Sequence, residues 1–574
     1  MGSDSPFVQS SAMRLTKVNT VIPTNASFPI PAKTVTVPTP EYAALAYGPT
    51  QPLPTPINPE KLKSELEGYD KQKLNFLVSG FTFGFRLGCI RNPSIHPPHN
   101  HKSTDEHPDI VEDYINTGLS RKRISGPFPH PPLLQFKTSP LGVVPKSEPN
   151  KFRIIHDLSF PAYNSVNSNI PKEYAEVCYD SIDTVLAMVR QFGKGSLMAK
   201  SDIKDAFRIV PVSPHDYHLL GFTWRDQFYY ERCLPMGASS SCQIFERLST
   251  ALQWVMLNRW QAGGMSHILD DFFFIGPPNS HKCRNDLENF LALCGRINIP
   301  MNMEKTFGPV TRIIIYGIEV DSVDMVSRLP LDKLEKCRRL VRQCKNRKKV
   351  TLRDLQSLIG VLNFACLVVV PGRAFLRRLI DLTIGIMKPH YLIRFNKEVR
   401  ADLAMWLHFL DNFNGKSVLF PEEWESSDVT RLFTDASGLL GFAAVFGDKW
   451  FAAAWTDSLF PMQIAVKELF PIVVALEIWG SEMANRKILF MSDNMAVVEV
   501  INKQSSKEKN LMHLLRRLVM VCLSHNILFK AKHIPGKYNM VADRLSRLQF
   551  QKAREVAPYL EQRATIIPSH LLQL

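Results

Sequence analysis

Two groups of acidic residues occupy positions from which carboxylates can bind divalent cations. The first group consists of Asp202, Asp270 and Asp271. The second consists of Asp435, Glu468, Asp493 and Asp543. Carboxylate clusters can hold two cations about 3.5–4 Å apart, and such a pair stabilises both the attacking and the leaving oxygen in phosphoryl transfer. The chain therefore carries candidates for two separate metal-dependent reactions at phosphate, one building a strand and one cutting it.

The first group is positioned by short elements with a strand pattern. Asp202 follows the apolar residues Leu197–Ala199, which predicts a carboxylate at the end of a strand. Asp270 and Asp271 lie between an apolar pair and the run Phe272–Ile275, a pattern that predicts a hairpin with both acids at its tip. An Asp-Asp pair alone is also an ordinary turn signal, so its interpretation depends on the surrounding motifs.

The second group lies at the ends of predicted elements of another type of domain. Arg431–Asp435 and Lys487–Asp493 are predicted strands that end in an acid. Glu468 lies in a predicted helix, and Asp543 lies in the helical segment Ala542–Leu545. Because acids at element ends can converge, the four residues are candidates for one site.

The composition favours a polyanionic partner. The chain has 574 residues, 45% of them hydrophobic, which is enough for several domains. Its formal net charge is +15, and neutralisation of phosphates by Lys and Arg drives binding through counterion release. Charge alone fits a merely soluble basic protein equally well, and the carboxylates are what favour nucleic acid.

The cysteines and the apolar segments argue against secretion and membrane insertion. None of the ten cysteines forms a Cys-x-x-Cys pair, so we expect reduced thiols in an intracellular protein. The N-terminus lacks a signal segment. The longest apolar stretch, Val361–Pro371, contains Asn363 and is too short to span a bilayer. We therefore expect no membrane partner.

Changes in composition predict an α+β multidomain protein. The expected boundaries are 1–58 for a disordered Pro-rich arm, 59–104 for a helical extension, 105–330 for a first α+β domain, 331–425 for connecting helices, 428–548 for an α/β domain and 549–574 for a tail without an interpretable motif. Leu331–Arg353 has the pattern of one basic amphipathic helix, which is either a duplex-binding element or a solvated face. Thr351–Asp354 has the form of a capping box, which predicts that another helix begins there.

Six runs in the first domain resemble the successive fingers and palm motifs of retroelement reverse transcriptases. The runs are Ser139–Lys146, Phe152–Ser159, Asp202–Phe207, Leu234–Gly237, Leu269–Asp271 and Glu304–Thr306. Their order and spacing both match those of the family. The resemblance implies a right-hand polymerase with fingers, palm and thumb-like helices.

The resemblance assigns roles to these residues. Asp202, Asp270 and Asp271 would bind the metals. The implied nucleotide-binding residues are Lys146, Arg153, Asp205, Ala206, Phe207, Met236, Gly237 and Lys305. Among them Lys146 and Arg153 would clamp the triphosphate, since both are cations beside one turn; Lys305 would lie near the leaving group, and Phe207 would exclude a ribose 2′-hydroxyl. Ile268 and Met236 depart from the commonest family pattern, which bears on nucleotide selectivity and leaves the metal ligands intact.

The four acids of the second group resemble those of ribonuclease H. By this resemblance Asp435, Glu468, Asp493 and Asp543 hold two cations around a scissile phosphate in the RNA strand of a hybrid. His533 precedes Asp543 at the separation seen in retroelement ribonucleases H, which implies a role in proton transfer or product release. The alternative for His533 is a structural role. The expected cofactor is Mg²⁺, two ions per site, with Mn²⁺ as a substitute.

The region between the two domains indicates a type of retroelement. Thr351–Gly360 and Val369–Arg378 resemble the connecting region of DIRS/Ngaro elements, which mobilise through a tyrosine recombinase. Gly126–Phe128 and Ser165–Asn167 point the same way. The resemblance spans roughly residues 60 to 548. The alternative origins are a long-terminal-repeat element and a pararetrovirus, and a recombinase would be encoded separately.

These patterns together predict an RNA-directed DNA polymerase with ribonuclease H activity. Its expected partners are an RNA template, a DNA primer, an RNA–DNA hybrid and dNTPs. The alternative from another class is a non-catalytic, co-opted nucleic-acid-binding protein that uses its basic grooves without turnover. A disruptive change at one of the seven carboxylates would have favoured that alternative, and all seven are present.

Overall fold

The computed structural model describes residues 52–574 apart from 92, 94–97, 147–150, 413–415, 419–423, 485, 526 and 537–538. The chain divides into two compact units, one ending at Tyr316 and the other covering Gly317–Leu574. Both units mix helices and strands, so the predicted α+β class is confirmed. Residues 1–51 of the expected arm and the turn at 147–150 lie outside the described residues.

The first unit contains seven α-helices among its described residues. They are α1 (Pro59–Glu65), α2 (Lys71–Phe83), α3 (Lys102–Glu106), α4 (Pro108–Ser120), α5 (Ile182–Phe192), α6 (Ser241–Trp254) and α7 (Lys282–Arg296). Helix α6 begins shortly after Leu234–Gly237, as the sequence predicts. It buries Ile244, Phe245 and Leu248 in the largest core cluster of the unit, which fixes its position under the neighbouring sheet.

Nine of the ten described strands of this unit form three sheets. The ten strands are β1 (Ile124–Phe128), β2 (Leu141–Pro145), β3 (Phe152–His156), β4 (Leu197–Asp202), β5 (Gly221–Trp224), β6 (Gln227–Glu231), β7 (Gly264–Ile268), β8 (Asp271–Gly276), β9 (Phe307–Val310) and β10 (Arg312–Ile315). One antiparallel sheet has the order β7-β8-β4-β9, another has the order β1-β6-β5, and β2 pairs with β3 as a hairpin. The first of these sheets carries the candidate carboxylates.

The second unit begins with the helices and strands between residues 318 and 418. They are β11 (Ile318–Asp321), β12 (Val326–Arg328), α8 (Leu331–Asn346), β13 (Lys349–Thr351), α9 (Leu352–Ala365), α10 (Arg377–Asp381), β14 (Leu392–Arg394), α11 (Lys397–Asn412) and β15 (Lys416–Val418). Strand β12 pairs with β11 and with β15, and β13 pairs with β14. The Thr351 hydroxyl accepts the Asp354 N–H at 3.1 Å, so the predicted cap of α9 is present.

The rest of the second unit has the predicted α/β pattern. Its elements are α12 (Ser427–Thr430), β16 (Leu432–Ala436), β17 (Gly441–Phe446), β18 (Lys449–Ala454), α13 (Ile464–Trp479), β19 (Lys487–Ser492), α14 (Met495–Lys503), α15 (Lys509–Ser524), β20 (Leu528–His533), α16 (Met540–Ser546) and α17 (Phe550–Val556). Strands β16, β17 and β18 form an antiparallel meander, whereas β19 and β20 pair in parallel. Helix α13 is apolar on nearly every side and is buried.

The basic helix predicted over 331–353 is shorter than expected. Its buried face is the predicted one, Leu334, Cys337, Val341 and Cys344. The helix ends at Asn346, however, and the following residues form β13. The reason is tertiary, because Lys349–Thr351 pairs with Leu392–Arg394, and that partner lies about forty residues further along the chain.

Both ends of the described chain are more ordered than the sequence predicts. Ile57, within the expected arm, is 3% exposed and belongs to the core of the first unit. In the expected tail, Ala553, Ala557 and Leu560 are buried against Ala443, Val445 and Trp450 of the meander. The apolar residues of these two short segments follow no clear helical or strand period, so their sequence does not predict ordered structure. They are ordered because they are buried against a partner surface.

No helix among the described residues combines the length and the apolar character that crossing a bilayer requires. All ten cysteines are free, and seven of them are buried, which agrees with the expectation of reduced thiols.

Candidate active sites

Asp202 ends β4, the strand between β8 and β9 in the four-stranded sheet. Its side chain is almost fully buried. Oδ2 accepts a hydrogen bond from Lys305 Nζ at 2.9 Å, and Oδ1 lies 3.4 Å from Asn302 Nδ2. The Asn302 N–H also donates to the Asp202 carbonyl oxygen at 2.8 Å. The loop before β9 therefore holds this carboxylate on one side.

The two adjacent acids lie where β7 turns into β8. Leu269 and Asp270 form the turn, and Asp271 is the first residue of β8, opposite Ile268. On its other side Asp271 is the register partner of Asp202. The Ile203 N–H donates to the Asp270 carbonyl oxygen at 3.2 Å. Pairing between strands thus brings Asp202 next to two adjacent acids that lie about seventy residues further along the chain.

The electrostatics of this cluster suit a bound cation. Desolvation and the negative charges of Asp270 and Asp202 raise the pKa of Asp271 to about 6. Desolvation and the charge of Asp202 also raise the pKa of Asp270. The hydrogen bond to Asp202 raises the pKa of Lys305. A divalent cation would relieve the repulsion among these oxygen donors, which are the ligands that Mg²⁺ prefers.

The two cations expected at the triphosphate lie on the β2–β3 hairpin. Lys146 follows β2 directly, and Arg153 pairs with Val144 across the hairpin. The Lys146 N–H donates to the Lys151 carbonyl oxygen at 2.7 Å. Both side chains are exposed. Within the described ranges neither contacts one of the three carboxylates, so the structure places them on one hairpin and shows no contact between them and the acids.

The segment after β4 shows how the candidates Asp205, Ala206 and Phe207 are held. Asp205 has a φ of 60°, and its Oδ2 lies 2.7 Å from Arg121 Nη1 and 3.0 Å from Arg123 Nη1. Ala206 is buried. The Phe207 ring packs against Phe245 of α6 with ring centroids 5.2 Å apart. Ion pairs and aromatic packing therefore fix both ends of this short segment.

Met236 and Gly237 lie in the loop before α6. The Met236 side chain is largely exposed. A Cβ on Gly237 would lie 2.2 Å from the His156 carbonyl oxygen, which is closer than any side chain permits. Asn167 Nδ2 donates to the Gly237 carbonyl oxygen at 2.8 Å. Glycine is therefore required here by the close approach of two backbone segments, in addition to the predicted approach of a nucleotide.

In the second unit, Asp435 lies in β16 and its carboxyl group is buried. Ser546 Oγ of α16 donates to Asp435 Oδ2 at 2.6 Å. Desolvation and the charges of Asp543 and Asp493 raise the pKa of Asp435 to about 6, although the bond from Ser546 opposes that shift. Asp435 is therefore close to the other acids of its group.

Glu468 lies in α13, and it has the largest shift of the group. Desolvation and the negative charges of Asp435, Asp493 and Asp543 raise its pKa to about 9. The charges of the other three acids all act on the Glu468 carboxyl group, so the four acids lie within electrostatic range of one another. The donor set consists of oxygens alone and carries excess negative charge, which fits Mg²⁺ or Mn²⁺.

Of the other predicted residues of the second site, His533 lies beside Asp493 and Asp543 lies in α16. His533 ends β20, and its Nε2 lies 3.1 Å from the Asp493 carbonyl oxygen. A Cβ on Gly536 would lie 3.0 Å from Asp493 Oδ2. Asp543 Oδ1 accepts from Arg547 Nε at 2.8 Å. His533 is thus beside a catalytic candidate, on the exposed side of the cluster.

In neither cluster do the carboxylate oxygens already surround one point at which a metal ion could bind. Among the described residues, no three His, Cys, Asp or Glu side chains form a ready ligand set for one metal ion. In the first site Lys305 occupies one oxygen of Asp202. Mutual repulsion of the carboxylates is the physical reason to expect closer approach of their oxygens on cation binding.

Sequence reasoning missed the residues that orient the acids. Ser546 bonds Asp435, Asn302 contacts Asp202, and Asn539 Nδ2 donates to the Thr434 carbonyl oxygen at 2.7 Å. Ser546 had a sequence signal, since it follows Asp543 by three residues and so shares a helix face with it. Asn302 and Asn539 had none, because their partners are about a hundred residues away.

Comparison with known proteins gives partial matches in sequence. No protein-family model matches the chain. A segment of 164 residues, 28% of this chain and 20% of the relative, is 24% identical to Protein P of duck hepatitis B virus (strain China). A segment of 167 residues, again 28% and 20%, is 27% identical to Protein P of heron hepatitis B virus. The chain thus spans about a fifth of the length of these relatives.

Two solved structures are similar over a larger part of the chain. The alignment with the foamy viral protease-reverse transcriptase dRH in complex with double-stranded DNA covers 85% of this chain and 84% of the other chain, with 16% identity and a TM-score of 0.46. The foamy viral protease-reverse transcriptase in complex with an RNA/DNA hybrid covers 82% and 62%, with 15% identity and a TM-score of 0.47. The two relatives named above are viral proteins, and the two structures are of foamy viral protease-reverse transcriptases.

Proposed function

We propose that the chain is an RNA-directed DNA polymerase with ribonuclease H activity, built as a right-hand polymerase followed by a ribonuclease-H-like domain. The observation that carries the proposal is the convergence of two carboxylate clusters in one chain, each on its own compact unit. One cluster lies at a β-hairpin turn beside a strand end. The other comes from a strand of the meander, from helices α13 and α16, and from the turn after β19. A non-catalytic binding protein has no use for two such clusters of mutually repelling acids.

In the first site, Asp202, Asp270 and Asp271 would hold Mg²⁺. Bound Mg²⁺ supplies charge stabilisation for the attacking and leaving oxygens. The primer 3′-hydroxyl attacks the α-phosphate of a dNTP in line, and pyrophosphate leaves. Lys305 would neutralise charge near the leaving group, and the cations Lys146 and Arg153 would hold the triphosphate.

The segment after β4 and the loop before α6 complete the proposed nucleotide site. Asp205 and Ala206 would face the incoming nucleotide, and Phe207 would exclude a 2′-hydroxyl because the ring of Phe245 supports it. Met236 and Gly237 would line the opposite side. Met236 is 67% exposed, so its side chain is accessible to a bound nucleotide.

In the second site, Asp435, Glu468, Asp493 and Asp543 would hold Mg²⁺ or Mn²⁺ around a phosphate of the RNA strand. Water attacks that phosphate, and the RNA strand of the hybrid is cut as the complementary DNA grows. His533 would transfer a proton or assist product release from the exposed side of the cluster. The partners are then an RNA template, a DNA primer, the RNA–DNA hybrid and dNTPs, in an intracellular setting.

A crossed pair of variants tests both activities. Wild type should extend a primed RNA template with dNTPs and should cut the RNA of a labelled hybrid, each only with a divalent cation. Asp270→Asn/Asp271→Asn should lose extension and keep cleavage, whereas Asp435→Asn should lose cleavage and keep extension. The activity that each variant keeps shows that its unsubstituted unit is intact, and far-ultraviolet circular dichroism controls for folding of the substituted unit.

The same experiment decides the alternative. If the wild type binds the hybrid but neither extends nor cuts it with Mg²⁺ or Mn²⁺, the co-opted nucleic-acid-binding protein is the better description. If both variants lose both activities, the assignment of one cluster to each reaction is wrong.

The type of element is a separate proposal. The runs Thr351–Gly360 and Val369–Arg378 favour a DIRS/Ngaro element whose tyrosine recombinase is encoded separately. The partial similarity to hepadnaviral Protein P favours the pararetroviral alternative. The genomic neighbourhood distinguishes the two, because a recombinase gene beside the coding sequence supports the first and a capsid gene without one supports the second.

A further inference from the structure

The turn between β7 and β8 has an unusual backbone conformation. Leu269, the residue before Asp270, has a φ of +54°. Left-handed backbone is readily adopted by glycine and disfavoured for leucine, since its Cβ approaches the backbone oxygen. The residue that presents the two adjacent acids therefore needs an external interaction to keep this conformation.

Glu246 of α6 supplies such an interaction. Its Oε2 accepts the Leu269 N–H at 3.1 Å. Its Oε1 lies 3.1 Å from His267 Nε2. The Glu246 residue is 8% exposed and His267 is 4% exposed. One buried carboxylate thus contacts two residues of the segment that leads into the acids.

Two carboxylates of the first unit accept hydrogen bonds from this segment. Glu246 lies between Phe245 and Leu248 on the buried face of α6. On the other side, Ser266 Oγ donates to Asp180 Oδ2 at 2.9 Å. The end of β7 is therefore held by Glu246 of α6 and by Asp180, which lies in the loop before α5, and of these two carboxylates Glu246 is the one that contacts the turn.

We propose that Glu246 is a positioning residue for nucleotidyl transfer, because it holds Leu269 in the left-handed conformation and thereby sets the direction of the Asp270 and Asp271 carboxylates. This inference rests on the proposed polymerase function. Glu246 touches neither the nucleotide nor the metals in this role. Without its acceptor oxygen, the Leu269 N–H is unsatisfied and the turn relaxes towards conformations that leucine prefers.

The role predicts a specific kinetic pattern. Glu246→Ala should lower kcat for dNTP incorporation about tenfold, since losing the acceptor of the partly buried Leu269 N–H shifts the turn away from its active conformation. The KM for dNTP should change by less than about twofold, because the cations proposed to hold the triphosphate, Lys146 and Arg153, lie on the separate β2–β3 hairpin. Glu246→Gln should keep most of kcat, since its amide oxygen still accepts the Leu269 N–H.

A second substitution distinguishes positioning from a general loss of structure. Glycine adopts a positive φ without strain, so in a Leu269→Gly background Glu246→Ala should cost much less than in the wild type. Far-ultraviolet circular dichroism, which reports on both units, serves as the folding readout and should be unchanged in every variant. An equal loss of kcat in both backgrounds, or a Glu246→Gln variant as slow as Glu246→Ala, would overturn the proposal.

A measurement that needs no activity separates this inference from the proposed function. Hydrogen exchange of the Leu269 amide should be slow in the wild type and in Glu246→Gln, and fast in Glu246→Ala. Absence of primer extension by the wild type would refute the polymerase proposal. Equal exchange of this amide in all three proteins would refute the role of Glu246 whether or not the wild type is active.

Discussion

Lys305 Nζ lies 2.9 Å from Asp202 Oδ2, so a cation of the protein already occupies one oxygen of the carboxylate cluster on the four-stranded sheet. Any metal ion that binds Asp202 competes with this ammonium group or shares the carboxylate with it. The pair therefore couples cation binding to the position of a residue that we place near the leaving group.

Replacement of Lys305 by methionine should separate these two effects. We expect Lys305→Met to lower kcat for dNTP incorporation by roughly tenfold or more, because a charge near the leaving group is lost. The Mg²⁺ concentration for half-maximal activity should fall, since a competing cation is removed. Steady-state kinetics over a Mg²⁺ titration measures both quantities.

The matched control is Lys200→Met. Lys200 lies in the same strand as Asp202, but its Nζ donates to the Ile314 carbonyl oxygen at 3.0 Å and, among the residues that the structure describes, to no carboxylate. This variant should leave both kcat and the Mg²⁺ requirement unchanged. A higher Mg²⁺ requirement in Lys305→Met would contradict the competition between the ammonium group and the metal.

Glu468 should make the stability of the second unit depend on pH when no divalent cation is bound. Its pKa is raised from 4.5 to about 9 in the folded state, so the folded protein binds a proton that the unfolded chain releases. The contribution is fully present below pH 4.5 and is lost as pH rises towards 9. Urea unfolding in EDTA should show this decrease in stability. Unfolding is monitored as the loss of hybrid cleavage after samples are returned rapidly to Mg²⁺.

Glu468→Gln should flatten that profile, because the amide does not titrate. Saturating Mg²⁺ should also flatten it for the wild type, since the cation stabilises the ionised acids. A slope that persists in Glu468→Gln would assign the dependence to Asp435, whose pKa is also raised, to about 6.

His533→Ala tests the role of the histidine beside Asp493. We expect the multiple-turnover rate of hybrid cleavage to fall roughly tenfold or more, with primer extension and hybrid affinity unchanged. A single-turnover assay separates the two proposed roles, because slow single-turnover cleavage indicates proton transfer and normal single-turnover cleavage indicates product release.

His570→Ala is the matched control, since His570 is an exposed histidine of the tail. If His533→Ala cleaves at the wild-type rate in both assays, the structural role of this histidine is the correct one.

The tail after residue 548 should contribute to the stability of the second unit. Leu560 is 7% exposed in the same cluster as Trp450, and Trp450 Nε1 donates to the Glu561 carbonyl oxygen at 2.8 Å. Leu560→Ala should lower the free energy of unfolding of this unit by about 2–3 kcal/mol. Urea unfolding followed by hybrid cleavage measures the change.

Ile566→Ala removes a similar side chain from a position that is 87% exposed, and it should be nearly neutral. Primer extension should survive in both variants. Equal stability of Leu560→Ala and Ile566→Ala would mean that the contact of the tail with the meander does not persist in solution.

The sequence by itself determined the elements and the chemical types of the two clusters. Asp202 at a strand end, Asp270 and Asp271 at a hairpin and the cap at Thr351 all follow from local patterns, because strand periodicity and turn preference act over a few residues. The order of the motifs also pointed to the two reactions before any contact was known.

Only the tertiary structure decided which side chains hold those acids and how far the elements extend. The contacts of Ser546 with Asp435 and of Glu246 with Leu269 join segments 111 and 23 residues apart. The pairing of Lys349–Thr351 with β14 ended a helix that its own pattern would have continued. Such contacts depend on packing between distant segments, and no local preference of the chain encodes them.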